Sequence, residues 1–141
     1  MLFTACGKNY DENILGQWKF VQLEYDEQNL VDSTIHVHRT TTSASMRDLE
    51  FKSNHTMTLE GYVNDDCWGT GDGVDTYWTY EKGWSMSPNN DTVYIEPINS
   101  MDASKTYVWE IVELNKTSFV FIERFRTEYR DTWYKYTYSR I

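Results

Sequence analysis

The sequence lacks the long apolar run that a membrane-spanning helix requires. No stretch approaches the ~18 consecutive apolar residues that cross a bilayer. Two prolines and seven glycines among 141 residues are too few for a collagenous or low-complexity chain. The length suits one domain with a hydrophobic core and offers no obvious place for a second.

Basic residues and cysteines are also scarce. Thirteen Lys and Arg stand against 22 Asp and Glu, which gives a formal net charge of −9. Such a surface repels phosphate backbones, so nucleic acid is not expected as a partner. A disulfide between the two cysteines would tie Cys6, near the start of the chain, to Cys67. The cysteine count therefore gives little support to a disulfide framework.

Signatures of catalysis are missing as well. The sequence has no G-x-S-x-G elbow, and Cys67 is its one internal cysteine, so no Cys/His nucleophile pair can be justified. Carboxylates are abundant, but no pair is set apart by an apolar environment as a glycosidase pair would be. We expect no enzymatic activity and no cofactor.

Two segments carry residues that metals use. His36-x-His38 would place two imidazoles on one face of a strand, and the third histidine is His55; zinc would need a further ligand. Residues 64–75 form a loop rich in Asp and Gly, but without the spacing and terminal Glu of an EF-hand. We interpret the histidines as surface residues and the loop as solvated. Calcium binding by the loop remains an alternative, and no metal site is assigned.

Aromatic residues are plentiful, and they favour strands. Eleven tyrosines and six tryptophans suit the packed surface of a twisted sheet. Short strands separated by polar turns predict an all-β sandwich or barrel with antiparallel neighbours. The predicted strands span residues 14–25, 35–38, 46–52, 55–60, 76–81, 83–86, 92–96, 107–114, 118–126 and 132–140. The polar run 39–45 is predicted to be a loop.

Several of these segments resemble a known family. Gly16-x-Trp18 at the start of the first strand resembles the lipocalin entry motif. The hairpin 49–54, the segment 84–87 and the ending Tyr136-x-Tyr138-x-Arg140 resemble lipocalin-like domains on lipoproteins of gut Bacteroidetes. The likeness covers most of residues 14–141. It implies a calycin-type, antiparallel up-and-down β-barrel of about eight to ten strands. It also implies that Trp18 closes the narrow end beneath Arg140.

The first residues resemble a targeting signal. Thr4-Ala5-Cys6-Gly7 is similar to the end of a bacterial lipoprotein signal peptide, in which the cysteine is acylated. Residues 1–13 are therefore interpreted as the remnant of a signal peptide and a tether, and residues 14–141 as the barrel domain. The resemblance implies a lipoprotein anchored to the outer membrane through Cys6, facing the periplasm or the cell surface.

Four large aromatic residues on central strands are candidates for a ligand site. They are Trp78, Tyr80, Trp84 and Trp109. An eight-stranded barrel is just wide enough for its own side chains or for one small ligand. We expect a monomeric binding protein for a small apolar or amphipathic molecule. The alternative is a filled barrel that serves as a protein-interaction or accessory module, with glycan binding as a further variant.

Overall fold

The computed structural model describes residues 13–42, 46–64, 75–98 and 106–141. Among these residues, no helix combines the length and the apolar character needed to cross a membrane. The described chain is built from nine strands. They are β1 (Gly16–Asn29), β2 (His36–Thr41), β3 (Met46–Phe51), β4 (Thr56–Asn64), β5 (Asp75–Met86), β6 (Thr92–Glu96), β7 (Tyr107–Leu114), β8 (Ser118–Arg126) and β9 (Arg130–Arg140).

The strands form a closed barrel with one additional strand. From β3 to β9 each strand pairs with the next, β1 pairs with β3, and β9 returns to pair with β1. All pairs are antiparallel, which closes an eight-stranded barrel. The ninth strand, β2, pairs with the second half of β1. The predicted fold class, an all-β antiparallel up-and-down barrel of about eight to ten strands, is confirmed.

Several predicted strand boundaries were wrong: β1 ends at Asn29 and not at residue 25, and β4 ends at Asn64 and not at residue 60. Two further errors concern polar residues within strands. The prediction divided residues 76–86 at Lys82, whereas β5 is continuous because its ladder with β4 includes Met57↔Lys82 and Thr56↔Gly83. Residues 39–41 were predicted to be loop but belong to β2, since Thr40 pairs with Glu24 across the ladder. In both places backbone hydrogen bonds to the neighbouring strand continue the strand through polar residues. The polarity of single residues therefore did not mark the end of the strand.

Strand β1 changes its neighbour halfway along its length. It pairs with β3 from Gly16 to Trp18 and with β2 from Leu23 onwards. Between these two regions its register against β9 shifts by one residue, as in a β-bulge. The backbone N–H of Phe20 donates to the Asp48 carboxylate at 3.0 Å. We call the end of the barrel at Trp18 the closed end and the end reached by the second half of β1 the open end.

Aromatic rings fill the interior from the closed end to the middle of the barrel. Trp18 packs on Phe119 at 5.6 Å between ring centroids, and Phe51 lies edge-on to Trp84, also at 5.6 Å. The buried apolar residues of this half are Ile14, Trp18, Phe20, Leu49, Phe51, Met57, Trp84, Val93, Ile95, Trp109, Leu114, Phe119, Phe121 and Tyr138. This half is a solid core, as expected for a small barrel.

Candidate functional site

The closed end is sealed by the two residues that the family resemblance pairs. Trp18 is fully buried, and its indole N–H donates to the carbonyl of Ile14 at 2.7 Å. The guanidinium carbon of Arg140 lies 4.0 Å from the centroid of the Trp18 ring. The same guanidinium donates to the carbonyls of Leu15 and Asn13. The structure thus brings Trp18 and Arg140 together in a cation–π contact.

Gly16 is required at this end for two reasons. Its φ angle of +112° is one that side-chain-bearing residues rarely adopt. A Cβ atom there would also lie 2.7 Å from Nη1 of Arg140. The Gly-x-Trp spacing therefore leaves room for the arginine that covers the tryptophan. Burial at this place lowers the pKa of Arg140 from its ordinary value.

Two of the four predicted lining residues belong to the packed core. Trp84 is buried, and its indole N–H donates to the carbonyl of Lys52 at 3.0 Å. Trp109 is fully buried and stacks on Phe121 with 4.2 Å between ring centroids. A role of these tryptophans in ligand binding stays a prediction. Their packing makes them part of the core that underlies the open half of the barrel.

The inward-facing side chains of the open half differ in their exposure. Tyr80 lies opposite Leu59 on the inner face of the β4–β5 pair and is 50% exposed. Phe125 continues the inward-facing positions of β8 and is also 50% exposed. Other inward-facing residues of this half are partly exposed; they include Leu23, Tyr25, Glu27, Leu59, Tyr107, Thr132, Tyr134 and Tyr136. The side chain of Trp78 lies outside the described residues.

A buried carboxylate lies on the inner wall at the border of the two halves. Glu123 follows Phe121 on the inward face of β8 and is 8% exposed. Its Oε2 accepts a hydrogen bond of 2.9 Å from the indole N–H of Trp109. Burial raises the pKa of Glu123, and the Trp109 bond offsets part of that rise. Burial also raises the pKa of the Tyr136 hydroxyl, and the neighbouring Glu123 carboxylate raises it further.

A buried lysine lies on another part of the wall. Lys82 shares the inner face of β5 with Tyr80 and Trp84, and it is opposite Met57 in the ladder. Its Nζ is 5.6 Å from the centroid of the Tyr80 ring. Neither Lys82 nor Glu123 was among the predicted site residues. Their spacing in the sequence could have identified them. Each is two residues from an inward-facing aromatic residue on the same strand, and side chains two residues apart on a strand face the same way.

The predicted histidine pair lies on the outer face of the β1–β2 hairpin. The Nε2 atom of His36 contacts one carboxylate oxygen of Asp26, and Nδ1 of His38 lies 3.2 Å from the other. The hydrogen bond with His36 is the main cause that lowers the pKa of Asp26. His55 is elsewhere, stacked on Trp84 at 4.8 Å. Within residues 13–42, 46–64, 75–98 and 106–141, no group of three His, Cys, Asp or Glu is placed to hold a metal.

The outer wall of the barrel carries a groove of about 250 Å³. It is lined by Gln17, Asp48, Leu49, Glu50, Thr58, Glu60, Thr79 and Ile141. The calcium alternative falls on residues 64–75, most of which lie outside the described residues, and so does Cys6.

Comparison with solved structures gives proteins of one architecture. The odorant-binding protein from bovine nasal mucosa has a TM-score of 0.50 and 12% identity, over 96% of this chain and 76% of that one. The bovine lipocalin allergen Bos d 2 gives 0.49 and 12%, over 95% and 76%. The complex of bovine odorant-binding protein with undecanal gives 0.49 and 14%, over 96% and 76%. No family model and no curated protein matches the chain. At such identities the likeness concerns the fold alone, and the chain has a lipocalin-like barrel of eight strands with one additional strand.

Proposed function

We propose that this protein binds a small amphipathic or apolar molecule inside the open half of its barrel. The observation that carries the proposal is the change in exposure along the inner wall. Inward-facing residues are fully buried at Trp18, Trp109 and Phe121, but half exposed at Tyr80 and Phe125. Side chains that face the axis of a barrel and still contact solvent line an interior that a ligand can reach.

The chemistry of the wall indicates the class of ligand. Aromatic and aliphatic residues dominate the described inner wall, and the polar groups among them include Glu123, Lys82, the pair of Glu27 and Arg130, and the tyrosine hydroxyls. Sites for small molecules have this composition, an apolar lining with a few polar groups that fix orientation. Aromatic rings also contribute large contact areas. The proposed role is capture of such a molecule without catalysis, by a monomer.

The likeness in fold supports the same class of function. The protein from bovine nasal mucosa is named for the binding of odorants, and it shares the barrel architecture. This support is general, since fold does not determine ligand. The argument for binding therefore depends on the inner wall of this chain.

The test is displacement of a fluorescent apolar probe, N-phenyl-1-naphthylamine, from the purified protein. We compare two substitutions by tryptophan: Leu59→Trp, opposite Tyr80 on the inner wall, fills the open half, whereas Val108→Trp changes an outward-facing, exposed position on β7. We expect Leu59→Trp to weaken probe binding by about tenfold or more and Val108→Trp to leave it unchanged. Melting curves of both variants confirm folding. Equal binding by both variants would place the probe outside the barrel, and a wild-type protein that binds no probe would favour the interaction module.

We further propose that Cys6 carries an acyl anchor that places the barrel at a cell envelope. The support is the sequence Thr4-Ala5-Cys6-Gly7, in which small residues precede the cysteine. Protein produced with a complete leader should incorporate labelled fatty acid and sediment with membranes. Cys6→Ser should lose both properties and Cys67→Ser should retain them. Labelling that persists in Cys6→Ser contradicts the anchor.

A further inference from the structure

The buried carboxylate of Glu123 is unusual in the interior of a small barrel. It is 8% exposed and faces the barrel axis. The residues two positions before and after it on β8, Phe121 and Phe125, face the same way and are aromatic. A buried carboxylate is costly unless hydrogen bonds or an opposite charge compensate it. Among the described residues, Trp109 is its hydrogen-bond donor, through Oε2. The second oxygen, Oε1, remains able to accept a bond from a bound molecule.

Aromatic side chains surround this carboxylate. Tyr134 is directly opposite Glu123 in the β8–β9 ladder, and Trp109 touches it through the indole N–H. Tyr136 is close enough for the charge of Glu123 to raise the pKa of its hydroxyl. Tyr134 and Tyr107 contribute to the same rise. The faces of such rings attract cations, and most strongly where water is excluded. A carboxylate among aromatic rings is a suitable site for an ammonium group.

Charge on a larger scale favours the same sign of ligand. The chain has a formal net charge of −9, which attracts cations and repels anions at a distance. Lys82 and Arg130 are positive side chains at inward-facing positions of the open half. Nε of Arg130, at the start of β9, lies 3.5 Å from Oε1 of Glu27. The amino group of Lys82 lies over the ring of Tyr80, which is nearer to the open end on the same strand. An anionic head group would be repelled at Glu123.

We propose that the ligand is a small amine with an apolar or aromatic body, and that its ammonium group binds Glu123 among Trp109, Tyr134 and Tyr136. The inference depends on the proposed function, since it assumes that the open half holds a ligand. The ammonium donates to the Glu123 carboxylate and lies against the aromatic faces. The apolar body extends past Tyr80 and Phe125 towards the open end.

The test uses three ligands with the same eight-carbon chain, octylamine, 1-octanol and octanoate, each displacing N-phenyl-1-naphthylamine at neutral pH. We expect octylamine to bind about tenfold or more tightly than 1-octanol, and octanoate to bind least. Glu123→Gln should abolish the preference for the amine over 1-octanol. The glutamine keeps an oxygen that accepts the Trp109 hydrogen bond. Glu110→Gln, an exposed carboxylate on β7, is the control for charge and should retain the preference.

The outcomes separate this inference from the proposed function. Equal binding of octylamine and 1-octanol, or a preference for the amine that survives Glu123→Gln, overturns the inference and leaves the binding function intact. Tightest binding of octanoate, lost in Lys82→Met, also overturns it and assigns the head group to Lys82. Displacement of the probe by none of the three ligands contradicts the inference, and wild-type protein that does not bind the probe contradicts both proposals.

Discussion

The Nη1 atom of Arg140 occupies the space into which a side chain at Gly16 would project. A Cβ atom at Gly16 would lie only 2.7 Å from it. The guanidinium cannot move away cheaply, because it stacks on Trp18 and donates to the carbonyls of Leu15 and Asn13. The closed end thus links the first strand, the preceding segment and the last strand through one side chain.

Gly16→Ala should therefore lower the free energy of unfolding by about 1–3 kcal/mol, because it adds strain at a φ of +112° and displaces Arg140. Urea denaturation measures the loss. Gly83→Ala is the matched control on β5, since a Cβ there would meet Glu96 O at an ordinary 3.7 Å, and we expect a change within about 0.5 kcal/mol. Equal losses for both variants would contradict this account of Gly16.

Trp18→Ala should cost about 3–5 kcal/mol, because it leaves a large cavity in the closed half. Trp133 offers a comparison, since this residue is 39% exposed. The guanidinium carbon of Arg124 lies 4.7 Å from the centroid of its ring. Its replacement by alanine should cost about 1 kcal/mol or less. Chemical denaturation of the two variants, with equal m-values, is the measurement. A small loss for Trp18→Ala would show that the closed end collapses around the gap.

Glu123 should make the protein less stable as the pH rises. Burial raises its pKa in the folded state above the ordinary 4.5, so the folded protein holds this proton more tightly than the unfolded chain. The stability that protonated Glu123 contributes is complete below the pKa of this group in the unfolded chain. It is lost as the pH rises through the pKa of Glu123 in the folded protein. Glu123→Gln has no carboxyl at this position and so does not lose this stability.

The free energy of unfolding of Glu123→Gln relative to wild type should consequently increase as the pH rises above the ordinary 4.5 through the raised pKa of Glu123 in the folded state. Denaturation at a series of pH values measures this difference. Glu110→Gln, whose carboxylate is exposed, should show no such trend. A difference that is constant with pH would indicate that Glu123 titrates alike in the folded and unfolded states.

Asp26 should titrate below its ordinary value of 3.8, chiefly because it bonds with His36. Its contribution to stability is present at neutral pH and is lost as the pH falls through the lowered pKa. Carboxyl ¹³C NMR measures the titration, and His36→Gln should move the Asp26 midpoint upwards. Because the pair is exposed, the gain in stability is below about 1 kcal/mol. An unchanged midpoint in His36→Gln would assign the shift to another cause.

Short strands with polar turns predicted an all-β sandwich or barrel, and the resemblance to lipocalins implied the barrel. Strand β6 places its buried residues at alternate positions, and short polar turns make neighbours antiparallel. The extent of β5 was not predictable in the same way, because Lys82 interrupts the pattern while its backbone stays in the ladder. The second half of β1 and β2 are held by pairing with each other rather than by a strong apolar face.

The candidate site was less predictable than the fold. Large aromatic residues indicated an interior but not which part of it is filled, since Trp84 and Tyr80 have similar sequence settings and opposite exposures. That difference depends on the height of each residue along the barrel axis, which sequence periodicity does not give. Glu123 was overlooked because a charged residue in a strand is ordinarily assigned to the solvent side.

Pairing between β1 and β9 also sets the order in which the protein can fold. Trp18 and Arg140 are partners in the ladder, although almost the whole described chain lies between them. The barrel cannot close during synthesis until Arg130–Arg140 has left the ribosome, so until then β1 lacks the neighbour along its longest ladder. A contact so distant in sequence makes folding slow. Until β9 arrives, the edge of β1 that will pair with it, on a strand of fourteen residues, is a site for association with other chains.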